Sequence, residues 1–151
     1  MSIQVGNKVP VFTAIKQDGS TFDLKDYLGK PLVIYFYPKD FTPGCTTQAC
    51  SFRDFYQDFQ DLGAEVIGIS GDTPAAHEAF QLKYKLPFIL LSDYDRKIRK
   101  AFGVPTSLFG LLPGRVTYVV HPDGTVKMVF NSMSAKNHIT KALEMVKRFS
   151  K

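Results

Sequence analysis

The stretch Leu32-Val33-Ile34-Tyr35-Phe36-Tyr37, running directly into Pro38-Lys39-Asp40-Phe41-Thr42-Pro43-Gly44-Cys45-Thr46-Thr47-Gln48-Ala49-Cys50, decides how this chain folds. Six consecutive strand-forming apolar residues predict a strand covered on both faces. Thr42-Pro43 reads as a helix start, with Thr42 at the N-cap and Pro43 at the first helical position, where its missing N–H costs nothing. Cys45 then falls in the first helical turn. Free backbone N–H groups and the positive end of the helix dipole favour an anion there, and the thiolate is the reactive form of cysteine. From Phe52 the apolar positions Phe55, Tyr56, Phe59 and Leu62 recur at helical spacing and Gly63 ends the segment, so one unbroken helix is predicted to carry both cysteines.

Working outward, Phe12–Lys16 and Ser20–Leu24 flank Gln17-Asp18-Gly19 as a hairpin, and Glu65–Ser70 reads as a second buried strand. Asp72-Thr73-Pro74 caps a helix reaching about Tyr84, and Phe88–Leu91 is a short strand. Ser92-Asp93 opens a helix that Gly103 terminates. Arg115–Val120 and Thr125–Phe130 form a hairpin across His121-Pro122-Asp123-Gly124, and a last helix carries Ile139, Leu143 and Val146. Helices interleaved with strands give an α/β architecture, a mixed sheet flanked by helices. At 151 residues the chain is expected to form one domain over residues 1–151, without linker or repeat.

Composition narrows the function classes. With 44% apolar and 22% charged residues the chain has ordinary globular composition. No stretch approaches the roughly 18 apolar residues of a membrane span. Met1-Ser2-Ile3-Gln4-Val5-Gly6 lacks a basic region followed by an apolar one. A cytoplasmic protein is expected, or a mature organelle form whose leader is absent. The net charge of +5 is scattered apart from Arg96-Lys97 and Arg99-Lys100. On a helix that cluster reads as a solvated face, and no nucleic-acid motif accompanies it. Two cysteines without an export signal suggest catalysis or redox sensing, since the short loop they would close offers little cross-linking entropy. His77, His121 and His138 stand at no ligand spacing to either cysteine, so no metal is expected.

The cysteine segment resembles the active-site signature of the peroxiredoxins, Pro-x-x-x-Thr-x-x-Cys, here Pro38, Thr42 and Cys45. A second cysteine five positions on, the flanking Tyr35-Phe36-Tyr37-Pro38-Lys39-Asp40 and Phe52-Arg53-Asp54 make the chain similar to the peroxiredoxin Q, or bacterioferritin comigratory protein, group. Gly6-Asn7-Lys8-Val9-Pro10-Val11-Phe12, Gly68-Ile69-Ser70 and Leu112-Pro113-Gly114-Arg115-Val116-Thr117-Tyr118-Val119-Val120 follow in the family's order, so the resemblance spans essentially the full chain.

That resemblance implies a thioredoxin-like fold with an added N-terminal hairpin and an added segment between residues 72 and 103. It implies a thiol peroxidase that reduces hydrogen peroxide and organic hydroperoxides without cofactor or metal. In it Cys45 attacks the peroxide, Cys50 resolves the product as an intramolecular Cys45–Cys50 disulfide, and thioredoxin or a similar dithiol protein restores both. The hydroxyl of Thr42 bonds the thiolate or the peroxide, and Arg115 reaches the cysteine. Pro38, Pro43 and Gly44 shape the loop. Gln48 stands where many relatives carry Glu, keeping an acceptor for the arginine. Arg53 is a weaker candidate for a second guanidinium, against pairing with a nearby carboxylate. Phe41, Leu108 and Phe109 could form an apolar collar for organic hydroperoxides. No membrane or nucleic-acid partner is expected, and a monomer is. Three rival readings are a redox sensor, a general disulfide oxidoreductase, which prefers Cys-x-x-Cys, and a copper-binding module using two cysteines and a histidine.

Overall fold

The computed structural model describes residues 2–107 and 112–149. Strand β1 (Thr13–Lys16) and β2 (Thr21–Asp23) form the first hairpin, followed by β3 (Leu32–Phe36), α1 (Pro43–Asp54), α2 (Tyr56–Asp61), β4 (Glu65–Ser70), α3 (Pro74–Tyr84) and β5 (Ile89–Ser92). Then come α4 (Lys97–Phe102), a two-stranded ladder of β6 (Thr106–Ser107) with β7 (Leu112–Pro113), the hairpin β8 (Val116–Val120) and β9 (Val126–Asn131), and α5 (His138–Arg148). Seven strands make one mixed sheet in the order β2-β1-β5-β4-β3-β8-β9. Central β3 runs parallel to β4 and antiparallel to β8, with Phe36 opposite Val116.

Every residue of β3 is buried, as the unbroken apolar run predicted. Its period of two divides the core. Val33, Tyr35 and Tyr37 pack with Cys45, Ala49 and Phe52 of α1, Phe59 of α2, Phe80 of α3 and Ile139, Ala142 and Val146 of α5. Leu32, Ile34 and Phe36 face the other way, against Phe22, Leu24, Ile98 and Phe102. The sheet is thus covered on both sides, with α1 and both cysteines on one of them.

Three local expectations are corrected. The helix predicted to reach Leu62 breaks at Phe55 (φ −104°, ψ 7°), dividing α1 from α2. The bend leaves Phe55 exposed while Tyr56 turns to donate to Glu65 at the head of β4, at 2.8 Å. Helix α4 starts at Lys97, not at Ser92-Asp93. Arg96 takes a left-handed conformation (φ 63°), and the Asp93 carboxylate reaches past it to accept from the N–H groups of Ile98 and Arg99, each at 2.9 Å. The basic cluster is not wholly a solvated face. Arg99 is buried, its guanidinium 5.7 Å from the centre of the Phe36 ring.

Gly114 precedes β8 where two backbones touch. A Cβ there would lie on the carbonyl oxygen of Pro105, a backbone atom that cannot swing aside. Gly114→Ala is expected to cost about 1–3 kcal/mol, the usual penalty of overpacking. Chemical denaturation of parent and variant checks this through the shift in midpoint at unchanged slope.

Candidate active site

The carboxyl end of β3 leads through the six residues Tyr37 to Thr42 onto α1. Phe41, at φ 66°, turns the chain, and the first helical hydrogen bond runs from Thr46 N–H to Thr42 C=O at 2.8 Å. Thr42 occupies the N-cap and Pro43 follows, but the Thr42 side chain does not cap the helix. Its hydroxyl donates instead to the Lys39 carbonyl at 2.8 Å. The hydroxyl proton is therefore committed away from Cys45, and the oxygen keeps lone pairs that can accept. With no side-chain cap, the N–H groups of Gly44 and Cys45 lack a side-chain acceptor at the end of the helix where its dipole is positive.

Cys45 is buried and Arg115 is 4% exposed. Arg115 reaches it across 70 residues of sequence, its Nη2 donating to the Cys45 Sγ at 3.3 Å. Its Nη1 donates to Gln48 Oε1, one turn along α1, and its Nε to the Met133 carbonyl at 2.9 Å. Gln48 supplies the acceptor that Glu would, without the charge. A Cβ on Gly44 would stand 3.0 Å from Arg115 Nη2, so the glycine leaves room for the guanidinium. The arrangement can hold a thiolate and present a fixed cation to oxygen atoms beside it.

Two histidines that the sequence reading left without a role support this geometry. His138 Nε2 lies 2.9 Å from the Ser132 carbonyl and its Nδ1 2.7 Å from the Thr117 hydroxyl. A carbonyl can only accept, so Nε2 carries the proton and Nδ1 accepts from Thr117. The segment that meets Arg115 is thereby fixed to β8. Burial pushes the His138 pKa down, the Ser132 carbonyl opposes this, and Arg115 adds to the depression. His77, fully buried, sits between Asp40 Oδ2 at 2.6 Å and the Leu91 carbonyl at 2.9 Å. Tyr37 donates to the other oxygen of Asp40, and the Asp40 N–H donates to Asp72 at 2.8 Å. Both nitrogens of His77 are therefore hydrogen-bonded, one to the Asp40 carboxyl and one to a backbone carbonyl. This pair ties the loop before Cys45 to α3 and β5. His77 and Phe80, three residues apart and both buried on α3, mark the face that could have revealed it.

The other expected residues fall unevenly. Cys50 is half-buried on α1, and both cysteines are free thiols. Arg53 donates to Asp54 at 3.0 Å and to the Tyr84 carbonyl at 2.8 Å, so it pairs with a carboxylate and is not a second guanidinium at the sulfur. Phe41 is exposed and packs on Phe80 and Tyr84 of α3, whereas Leu108 and Phe109 lie outside the described residues. A groove of about 600 Å³ lies beside the site, between Pro43, Gly44, Thr47 and Phe55 of α1 and its end and Lys136 and Ile139 near the start of α5. Among the described residues the metal-type side chains that converge are Asp40, Asp72 and His77, without either cysteine. Both nitrogens of that histidine are already hydrogen-bonded.

Residues 5–129 match the AhpC/TSA family. The chain is 52% identical over 145 residues to the chloroplastic peroxiredoxin Q of Populus jackii, an alignment covering 95% of this chain and 68% of that protein. Its structure is similar to the peroxidoxin BcpB of Mycobacterium tuberculosis, at 34% identity and a TM-score of 0.89, covering 97% of each chain. The bacterioferritin comigratory protein of Xanthomonas campestris, described as reducing alkyl peroxides, matches at 31% identity and a TM-score of 0.86, over 93% of this chain and 92% of that one.

Two outcomes follow from the geometry. In an α-helix, residues five apart are offset by about 7.5 Å along the axis and about 140° around it. Cys45 and Cys50 therefore point apart, with Cα atoms beyond the about 7 Å that a disulfide tolerates. A protein carrying a Cys45–Cys50 bond is expected to lose amide-exchange protection from Gly44 to about Arg53 while the sheet keeps it; unchanged protection there would mean that the segment was never an intact helix. The second outcome concerns His138. A depressed histidine pKa gives stability that is fully present above the unfolded value of about 6.5 and is lost as pH falls through the lower folded value. Denaturant unfolding at about pH 7 and about pH 5 should show a smaller loss for His138→Gln than for the parent.

Proposed function

The chain belongs to the AhpC/TSA family, and on that footing we propose that it is a peroxiredoxin of the Q group in which Cys45 is the peroxidatic and Cys50 the resolving cysteine. Its sheet and helices are those of the thioredoxin-like fold. The observation that carries the assignment of roles is the buried contact of Arg115 with Cys45 Sγ at the uncapped start of α1. Cys50, one and a half turns on, has no such partner among the described residues.

Chemically the cycle needs two sulfurs and an external dithiol. The Cys45 thiolate attacks one peroxide oxygen, the O–O bond breaks, and the departing oxygen takes a proton to leave as water or an alcohol, with Cys45 left as a sulfenic acid. Charge builds on oxygen as that bond stretches. The contacts of Arg115 with Gln48 and Met133 support it as the donor to that charge, with the Thr42 oxygen as acceptor for the proton end of the peroxide. Cys50 then displaces hydroxide from the sulfenic sulfur to give a disulfide and water. A thioredoxin-type dithiol reduces the disulfide and is itself oxidised.

Both cysteines lie on one helix of one chain, so resolution requires no second copy, which supports a monomer. The alkyl peroxide activity of the Xanthomonas relative and the groove beside α1 support organic hydroperoxides as substrates next to hydrogen peroxide. No helix among the described residues is long and apolar enough to cross a membrane. Of the two expected compartments, the chloroplastic relative supports the organelle form.

Peroxide consumption measured with thioredoxin, thioredoxin reductase and NADPH, and again without thioredoxin, tests the activity; turnover is expected only in the complete system. Cys45→Ser is expected to abolish reduction, whereas Cys50→Ser should consume about one equivalent and stop as a sulfenic acid. Equal first-turn rates in the two variants would overturn the assignment. Arg115→Met should slow peroxide attack by roughly 100-fold even at pH values where the sulfur is fully ionised, the scale of losing one transition-state donor. Coincident plateaus in the pH–rate profiles would restrict Arg115 to populating the thiolate.

A further inference from the structure

Outside the carboxyl ends of the adjacent parallel strands β3 and β4 lies a recess of about 230 Å³ formed by Pro38, Lys39, Gly71, Asp72, Arg96 and Arg99. Arg99 is the unusual member. It is 8% exposed, and among the described residues its Nη1 has no hydrogen-bond partner and its Nη2 reaches only the Tyr37 carbonyl, at 3.5 Å. The nearby acid Asp93 is spent on the backbone N–H groups of Ile98 and Arg99. Burial pulls the Arg99 pKa down and Asp93 opposes this, yet a guanidinium starts so far above neutrality that it stays charged. A buried charge without a paired anion is costly. The fold therefore holds a guanidinium edge for which the described residues supply no acceptor.

The rest of the recess fits such a partner. Lys39 and Arg96 are exposed at its rim, and the one acid lining it, Asp72, is engaged by the Ser70 hydroxyl and by the Asp40 N–H. Three cations against one carboxylate leave a surplus of two positive charges. The volume equals about eight waters, enough for a tetrahedral oxyanion with part of its hydration shell. We propose that this recess binds a phosphate-type dianion, with Arg99 as its buried anchor and Lys39 and Arg96 as its rim. Planar N–H donors suit the oxygens of such an ion, and the ammonium adds a point charge. The site is separate from the peroxide chemistry, although Pro38 and Lys39 belong to the loop that leads to Cys45.

Calorimetric titration of the full chain with inorganic phosphate, at constant ionic strength set with chloride, tests the site, with thermal unfolding read in parallel. Glycerol 3-phosphate carries the same dianionic head and is titrated separately, which distinguishes the free ion from a phosphomonoester. Saturable binding of either is expected. Lys39→Gln with Arg96→Asn should weaken it at least tenfold, whereas Lys97→Gln with Lys100→Gln, an equal loss of charge on α4 at residues that do not line the recess, should change it less than twofold. Arg99→Met should lose binding and, without phosphate, unfold at the same temperature as the parent or higher, because an unpaired buried charge has been removed. Absence of saturation in the parent, or an equal loss in both double variants, would overturn the proposal. If Arg99→Met does not fold, the two double variants decide.

Discussion

Arg115 carries a full positive charge at 4% exposure, and a buried guanidinium costs least where neighbours supply acceptors in its plane. Here they come from three places in the chain: Cys45 and Gln48 on α1 and the Met133 carbonyl after β9. Much of the surrounding architecture follows from satisfying that one side chain. The antiparallel register of Phe36 opposite Val116 sets the start of β8 beside the end of β3, the point from which the chain departs for α1. Gly44 has no side chain where the guanidinium passes, and Gly114 has none where the segment just before β8 passes Pro105. His138 fixes the segment that presents the Met133 carbonyl.

The same helix that prepares Cys45 keeps it from Cys50. A first-turn position gives the sulfur unpaired backbone donors and the dipole, and the continuing helix turns the second cysteine away. The proposed reaction therefore needs two states of one segment, a folded one for attack and an opened one for resolution. Gly44, Thr46 and Thr47 are modest or poor helix formers and lower the cost of opening. The Asp40–His77 pair lies just upstream and is anchored to α3 and β5, so the opening has a fixed edge.

What was legible in the sequence was local. The six-residue apolar run marked β3, Thr42-Pro43 marked the start of α1, and Thr73-Pro74 marked α3, whose Thr73 hydroxyl does accept from Ala76 N–H. The bend at Phe55 was hidden because an exposed phenylalanine fits the apolar spacing as well as a buried one. Helix α4 was placed too early because Asp93 caps it from beyond a left-handed Arg96 rather than from the adjacent position. Arg99 looked solvated because nothing in the run of charges reveals that Phe36 lies against it. Asp40 and His77 are 37 residues apart, and no spacing rule joins them. Arg115 is 70 residues from Cys45, and only the likeness to a family pointed to it.

If one helix both activates and withholds, its stability must set the speed of resolution and leave the first step alone. Thr47 is exposed on α1, so Thr47→Ala and Thr47→Gly shift helix stability in opposite directions, by about 1 kcal/mol between them. Single-turnover kinetics after mixing with hydrogen peroxide, which does not need the groove that Thr47 lines, would follow sulfenic acid formation and disulfide formation separately. Disulfide formation should be slowest in the alanine variant and fastest in the glycine variant, with a span of roughly fivefold, while the attack step is unchanged. Equal rates of disulfide formation in all three proteins would contradict the account, because the helix would then not be what separates the two sulfurs.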